Sequence, residues 1–232
     1  MKKEFKQQAL AEKSHIKSKR SRSVIQCITD LDQASHELDR ISQRTSESEQ
    51  EETTRIVQKI LQDVKEKGDE ALIHYTERFD GFKPTPLTVS TKSLQEAWES
   101  TPTQLQEALR LAHQRIKKFH QHQLPTDLLI EGDHGEKLGR RWTPVQKAGI
   151  YIPGGRAAYP STVLMNAIPA QVAGVKKIFM VSPADRTGNI NNTVLAAAHL
   201  AGVNKVFPIG GAQAIGALAY GTETVESVDV IS

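Results

Sequence analysis

The chain has 232 residues, 38% of them apolar, with 30 basic and 27 acidic side chains and a net charge of +3. It contains no run of about 18 apolar residues, so no membrane span is expected. The positive charge is local: residues 1–22 hold Lys2, Lys3, Lys6, Lys13, Lys17, Lys19, Arg20 and Arg22 against Glu4 and Glu12. The remainder is mildly acidic, which argues against a body that binds nucleic acid through clustered Lys and Arg.

The basic stretch reads as a solvated arm, because like charges repel and no apolar stripe anchors them. A transit peptide or a nucleic-acid arm is the alternative; transit peptides favour Arg and Ser, whereas this stretch is Lys-rich. No apolar signal-peptide core follows it. The single cysteine, Cys27, leaves no disulfide within the chain and fits a reducing, cytoplasmic location. The arm is expected to span 1–47, followed by a helical region over 48–125, a hairpin linker over 126–147 and βα units over 148–232.

From Ser42 to Thr54 the sequence is polar without apolar periodicity and reads as loop or weak structure. Ile56, Ile60 and Val64, flanked by Val57 and Leu61, then form one helical face, which Gly68 ends or loosens. Ala71, Leu72, Tyr75 and Phe79 continue the helical pattern. Asp80-Gly81 signals a turn, and Pro84 and Pro86 keep the next segment extended. Ser93 to Glu99 suggests a short helix. Thr101-Pro102 opens another, since proline suits the first helical turn; Leu105, Leu109, Ala112, Ile116 and Phe119 form its stripe. Glycines and alternating apolar positions over 126–147 suggest two short strands in a hairpin.

After Ala148 the rhythm changes. Apolar runs at 148–152, 177–181, 204–209 (interrupted by Pro208) and 228–231 alternate with helical segments at about 161–174, 190–201 and 212–220. Such spacing suits parallel strands joined by helical crossovers. Continuous apolar runs suit strands covered on both faces. The first three strands end in turn-forming residues: Pro153-Gly154-Gly155, Ser182-Pro183 and Gly210-Gly211. In a parallel sheet these loops share the carboxyl edge, where open α/β sheets bind ligands. The fourth strand reaches Ser232 with no following helix, so an open sheet edge is expected there.

Within these loops several residues suggest chemistry. Gly154 and Gly155 permit positive φ and close approach of a ligand, or simply a tight turn. Tyr151 can stack on a nicotinamide or adenine ring, or belong to the core. Gly210-Gly211-Ala212-Gln213 opens a helix whose N–H groups attract phosphate or carbonyl oxygens, or lets helix and sheet pack closely. Neither loop matches G-x-G-x-x-G. Ser161 or Thr162 reads as a helix cap, and Arg156 can meet a phosphate.

The eight histidines show no zinc-ligand spacing. His120 and His122 point to opposite sides of a helix, and His113 and His120 lie two turns apart. No G-x-S-x-G, P-loop or HExxH occurs, and no nucleophile is paired with a base.

Three stretches carry a family resemblance: Ala148-Gly-Ile-Tyr-Ile-Pro-Gly-Gly-Arg-Ala-Ala-Tyr-Pro-Ser-Thr-Val-Leu-Met165; Val206-Phe-Pro-Ile-Gly-Gly-Ala-Gln-Ala-Ile-Gly-Ala-Leu-Ala-Tyr-Gly-Thr-Glu223; and Gly68-Asp-Glu-Ala-Leu with Tyr75 and Arg78-Phe-Asp80. Together they resemble the N-terminal part of histidinol dehydrogenase, from about Cys27 to Ile231. The resemblance implies an α/β, aldehyde-dehydrogenase-like fold: a Rossmann-type parallel sheet, here incomplete, preceded by a helical N-terminal region. It implies oxidation of L-histidinol through the aldehyde to L-histidine with two NAD⁺, in a zinc-containing homodimer, and it makes Tyr151 and Gln213 cofactor contacts with NAD. The family continues past the last strand with Gly-Pro-Gly-Asn, and its zinc ligands, Glu-His acid–base pair and substrate-binding residues lie further on. No catalytic or metal residue is therefore assigned here, and turnover by this chain alone is not expected. A non-catalytic NAD-binding module and one half of a split enzyme are the alternatives.

Overall fold

Helix start signals, apolar periodicity and strand runs recur in the computed structural model, which describes residues 27–42, 47–154 and 158–232 (47–49 by backbone alone). The chain divides into two units after Glu51. In the first, Asp30 opens α1 (Leu31–Ser42) by accepting a hydrogen bond from the Gln33 N–H at 2.8 Å. This helix lies within the stretch expected to be a mobile arm, and it buries none of its residues. Most of the basic stretch itself lies outside the described residues.

Helix α2 (Glu47–Lys67) begins inside the segment read as loop from its lack of periodicity. The correction has a physical reason. Residues 50–56 are exposed on every side, so no apolar stripe is needed there. Glu, Gln and Arg favour a helix by intrinsic propensity. Only further on do Ile60 and Val64 become buried. Gly68, at a φ of +54°, separates α2 from α3 (Asp69–Asp80). Gly81 closes α3 in the left-handed conformation, with its N–H bonded to the Glu77 carbonyl. Helix α4 (Thr91–Glu99) is capped by Ser90 Oγ, which accepts from the Ser93 N–H. Pro102 stands at the cap position of α5 (Thr103–Gln121), one place before the first turn.

The hairpin is present as β1 (Leu128–Glu131) paired antiparallel with β2 (Lys137–Arg140). Leu128, Ile130 and Leu138 remain at least half exposed on it.

The main sheet contains β3 (Lys147–Tyr151), β4 (Lys177–Val181), β5 (Lys205–Phe207) and β6 (Val230–Ile231), all parallel, in the order β5-β4-β3-β6. Helices α6 (Pro160–Ala173), α7 (Asn192–Leu200) and α8 (Gly211–Tyr220) connect them in turn. Side chains alternate between two cores. Ile150, Ile178, Met180 and Val206 join α4 to α7 on one face; Phe179, Val181 and Phe207 join α2, α3 and α8 on the other. Burial on both faces accounts for the unbroken apolar runs. Met180 and Phe179 are at most 1% exposed, and burying each such side chain contributes about 1.5–3 kcal/mol as an upper estimate.

The connectivity fixes where a ligand belongs. From β3 the chain steps outward to β4 and β5, then returns across the sheet to place β6 on the other side of β3. That reversal is a topological switch point, and the crevice outside the carboxyl ends of β3 and its neighbours is the expected ligand site of such a sheet.

Candidate functional site

Alternation along β3 turns Tyr151, its last residue, toward the core shared with α8. The ring is partly buried there. Its Oη accepts a 3.2 Å hydrogen bond from the Gly211 N–H at the start of α8. Gly211 has a φ of +62°, a conformation natural for glycine alone, and a Cβ there would stand 2.7 Å from Gln213 Oε1. Gln213, two residues further into the first turn, is 1% exposed, and its Oε1 has no hydrogen-bond partner. The structure thus brings both Tyr151 and Gln213 against Gly211. Helix α8 has no side-chain cap, so N–H groups of its first turn and the positive end of its dipole face the crevice.

Pro183, in the loop after β4, binds the strand ends together. A Cβ on Gly154 would come within 2.8 Å of its carbonyl oxygen, and a Cβ on Gly210 would overlap its ring. The loops after β3, β4 and β5 therefore meet at one point. Gly155 and Arg156 lie outside the described residues. Neither Ser161 nor Thr162 caps α6: the helix begins with Pro160 at its first position, Tyr159 precedes it, and no side chain accepts a capping bond. Proline needs no partner for a missing N–H and pre-sets the helical φ, so the start holds without a cap.

A cavity of about 1370 Å³ opens at the same edge, on the α4–α7 face; Asp80, Glu96, Gly154, Ser182, Asp185 and Asn192 are among its walls. Sequence reading missed it. Asp80 had been a turn signal only, yet it lines the cavity with Oδ2 buried and unpartnered. Burial pushes its carboxyl above the usual carboxylate range. Asp185 Oδ1 accepts from the Thr187 N–H at 2.8 Å, the Thr187 hydroxyl at 2.6 Å and the Asn189 N–H at 3.0 Å. These bonds, the Thr187 hydroxyl first, hold its pKa below the ordinary value. The run Asp185-Arg-Thr-Gly-Asn189, four residues past the strand end, was the available signal, because Asp caps its own turn in such loops.

Comparison with known proteins gives these features a context. The histidinol dehydrogenase family profile matches residues 43–232. That is most of the chain. The chain belongs to the histidinol dehydrogenase family. It is 59% identical over 223 residues to a histidinol dehydrogenase of Prochlorococcus marinus strain MIT 9313, covering 96% of this chain and 50% of that protein. A second, from Thermosynechococcus vestitus, is 49% identical over 211 residues, 90% of this chain and 49% of the relative. The crystal structure of histidinol dehydrogenase from Elizabethkingia anophelis superposes with a TM-score of 0.73 at 42% identity, covering 77% of this chain and 41% of that one. The chain spans about half the length of the curated relatives it matches. The family is one of oxidoreductases in histidine biosynthesis, and its α/β fold, with a helical N-terminal region before a four-stranded parallel sheet, is the fold seen here.

Among the described residues, no helix is long and apolar enough to cross a membrane. Among the same residues, no three His, Cys, Asp or Glu side chains stand close enough together to hold a metal ion.

Proposed function

We propose that this chain forms the nucleotide-holding part of an NAD-dependent histidinol dehydrogenase, the enzyme oxidising L-histidinol through the aldehyde to L-histidine. The observation that carries this reading is the arrangement of Tyr151, Gly211 and Gln213 at the carboxyl edge of the sheet.

NAD, when bound, supplies the hydride acceptor for that oxidation. The side chains here suit its polar groups. Tyr151 Oη already accepts the Gly211 N–H, so its own proton is available to a ligand oxygen. Gln213 Oε1 is a buried acceptor without a donor. Such an orphan costs about 1–3 kcal/mol until one arrives, and a carboxamide N–H or a ribose hydroxyl supplies it. The uncapped start of α8 adds N–H groups suited to an anionic or carbonyl oxygen.

These groups bind and orient; none is a general base of the His or Glu kind. The described residues do not fit the family's zinc, since no three His, Cys, Asp or Glu side chains among them converge. The chain alone is therefore expected to bind NAD without oxidising L-histidinol, and pairing into the family's homodimer belongs to the same proposal.

Titration calorimetry of the 232-residue chain with NAD tests the reading. Tyr151→Phe and Gln213→Ala are each expected to weaken binding by roughly twofold to tenfold, the worth of one hydrogen bond. NADH absorbance with L-histidinol present is expected to stay at background. No binding heat with NAD, or unchanged affinity in both variants, overturns it.

A further inference from the structure

We propose that the amino edge of the main sheet holds a site for a dianionic oxyanion, such as sulfate or a phosphate group, formed by Lys147, Lys177 and Lys205 around Glu226. The site stands apart from the Tyr151–Gln213 end. Lys147 opens β3 and Tyr151 closes it, which sets the two ends about 13 Å apart. The inference does not depend on the reading that this chain binds NAD.

Register is the first argument. Lys147 and Lys177 are partners in the parallel ladder of β3 and β4, and Lys205 opens the next strand opposite Phe179. Lys177 stands two residues before Phe179, Lys205 two before Phe207 and Lys147 four before Tyr151. Alternation therefore turns all three lysines to the face those rings share with α8. Like charges paired across neighbouring strands destabilise a sheet. A residue set that breaks a local rule in this way marks a place where function outweighs stability.

Charge is the second. Glu226 Oε2 accepts from Lys147 at 3.2 Å and Lys177 at 3.1 Å, and its Oε1 from Lys205 at 3.0 Å. Among the described residues it is the one carboxylate paired with any of the three, so one negative charge faces three positive ones. Lys176 adds a fourth positive charge to this edge. Asp229, whose Oδ2 accepts the N–H groups of Gln146 and Lys147, adds a second negative one. Four lysines against two carboxylates leave +2, the charge that a dianion neutralises.

Preorganisation is the third. Glu226 lies in the segment 221–229 between α8 and β6. Thr222 and Thr224 tie that segment to Asp69, and Asp229 ties it to the start of β3. The carboxylate is thus a fixed floor that gathers three ammonium groups at one point before any ligand arrives, which lowers the cost of binding. Each ammonium has three N–H donors and gives one to Glu226. Lys177 and Lys205 are about half exposed, so a ligand reaches the remaining donors from solvent.

The test follows thermal unfolding of the 232-residue chain in sodium phosphate, sulfate and chloride at matched ionic strength. Phosphate and sulfate stabilise proteins generally by exclusion from their surface. The reading is therefore the difference between the unaltered chain and the double variant Lys177→Gln, Lys205→Gln. The midpoint of the unaltered chain is expected to rise about 2–4 °C more in phosphate than that of the double variant. Calorimetric titration with inorganic phosphate is expected to show binding at least about tenfold weaker in the double variant, as for loss of charge-assisted hydrogen bonds. Glu226→Gln removes the carboxylate that competes for the same lysines, and is expected to tighten phosphate about tenfold. Glycerol phosphate separates the sources of such a group: binding as tight as inorganic phosphate assigns the site to phosphomonoesters, and weaker binding assigns it to the free ion. A lysine cluster that only braces the segment 221–229 predicts the same difference between chain and double variant in every salt. That outcome, or phosphate binding undiminished in the double variant, overturns the site.

Discussion

Asp69, the first residue of α3, accepts a 2.6 Å hydrogen bond from the hydroxyl of Thr222, 153 positions later in the chain. The Thr224 hydroxyl and N–H also donate to the same carboxylate, and Glu223 accepts the Asp69 N–H at 2.8 Å in return. Two of the three family-like motifs are thus one lock: the Gly-Asp-Glu start of α3 and the Gly-Thr-Glu after α8 satisfy each other's polar groups. The lock holds α3 against α8, the helix whose first turn carries Gln213. Asp69→Ala removes the acceptor of the Thr222 and Thr224 hydroxyls and of the Thr224 N–H, so a loss of about 1–3 kcal/mol in stability is expected. Urea unfolding followed by far-UV circular dichroism measures it; an unchanged midpoint would show that the lock carries no stability.

Acid is expected to loosen the fold through two carboxylates. Glu226 accepts from Lys205 at 3.0 Å, Lys177 at 3.1 Å and Lys147 at 3.2 Å, one lysine from the first position of each of three neighbouring strands. These bonds, Lys205 first, lower its pKa from 4.5 to about 2. Asp63 is lowered from 3.8 to about 2, chiefly by the Tyr75 hydroxyl and then by Lys67. A carboxylate depressed in the folded state adds stability that is complete above its unfolded pKa and is lost as pH falls through its folded one. The loss is therefore expected between about pH 4.5 and pH 2. Glu226→Gln should flatten the pH dependence in that window. At neutral pH it leaves three ammonium groups facing one another, and added salt should recover part of the lost stability by screening them. A slope unaltered in both Glu226→Gln and Asp63→Asn would count against this account.

Much of this architecture was readable from residues alone because burial leaves periodic marks. Ile178 to Val181 is an unbroken apolar run since Ile178 and Met180 face one core while Phe179 and Val181 face the other. Tyr151 and Gln213 sit at strand and helix ends, so a sheet topology was enough to bring them near each other. The start of α2 left no mark, because a helix exposed on all sides needs no stripe. Ser161 and Thr162 had the right chemistry for a cap, but Pro160 made one unnecessary. The cavity was hidden for a different reason. Asp80 and Asp185 lie 105 positions apart in the sequence, and nothing local in either segment reports that the two loops share a wall.

Gly211 offers the sharpest separation of stability from binding. At a φ of +62° an alanine is strained, and its Cβ would press within 2.7 Å of Gln213 Oε1. Gly211→Ala should therefore lower stability by about 1–3 kcal/mol and also displace the Gln213 amide and the N–H that Tyr151 holds. Weaker NAD binding follows from the second effect, and loss of stability from the first. Gly149→Ala is the matching control. There a Cβ meets Leu218 Cδ1 at 2.9 Å, deep under α8, and its nearest neighbours belong to Leu218 and Val228 rather than to Tyr151 or Gln213; overpacking costs a similar ~1–3 kcal/mol. Thermal unfolding and NAD calorimetry on both variants decide the matter. Equal destabilisation with NAD affinity lost only in Gly211→Ala is the expected result. If Gly149→Ala loses affinity to the same degree, binding depends on the general firmness of the α8 packing and the Gly211 turn has no special part in it.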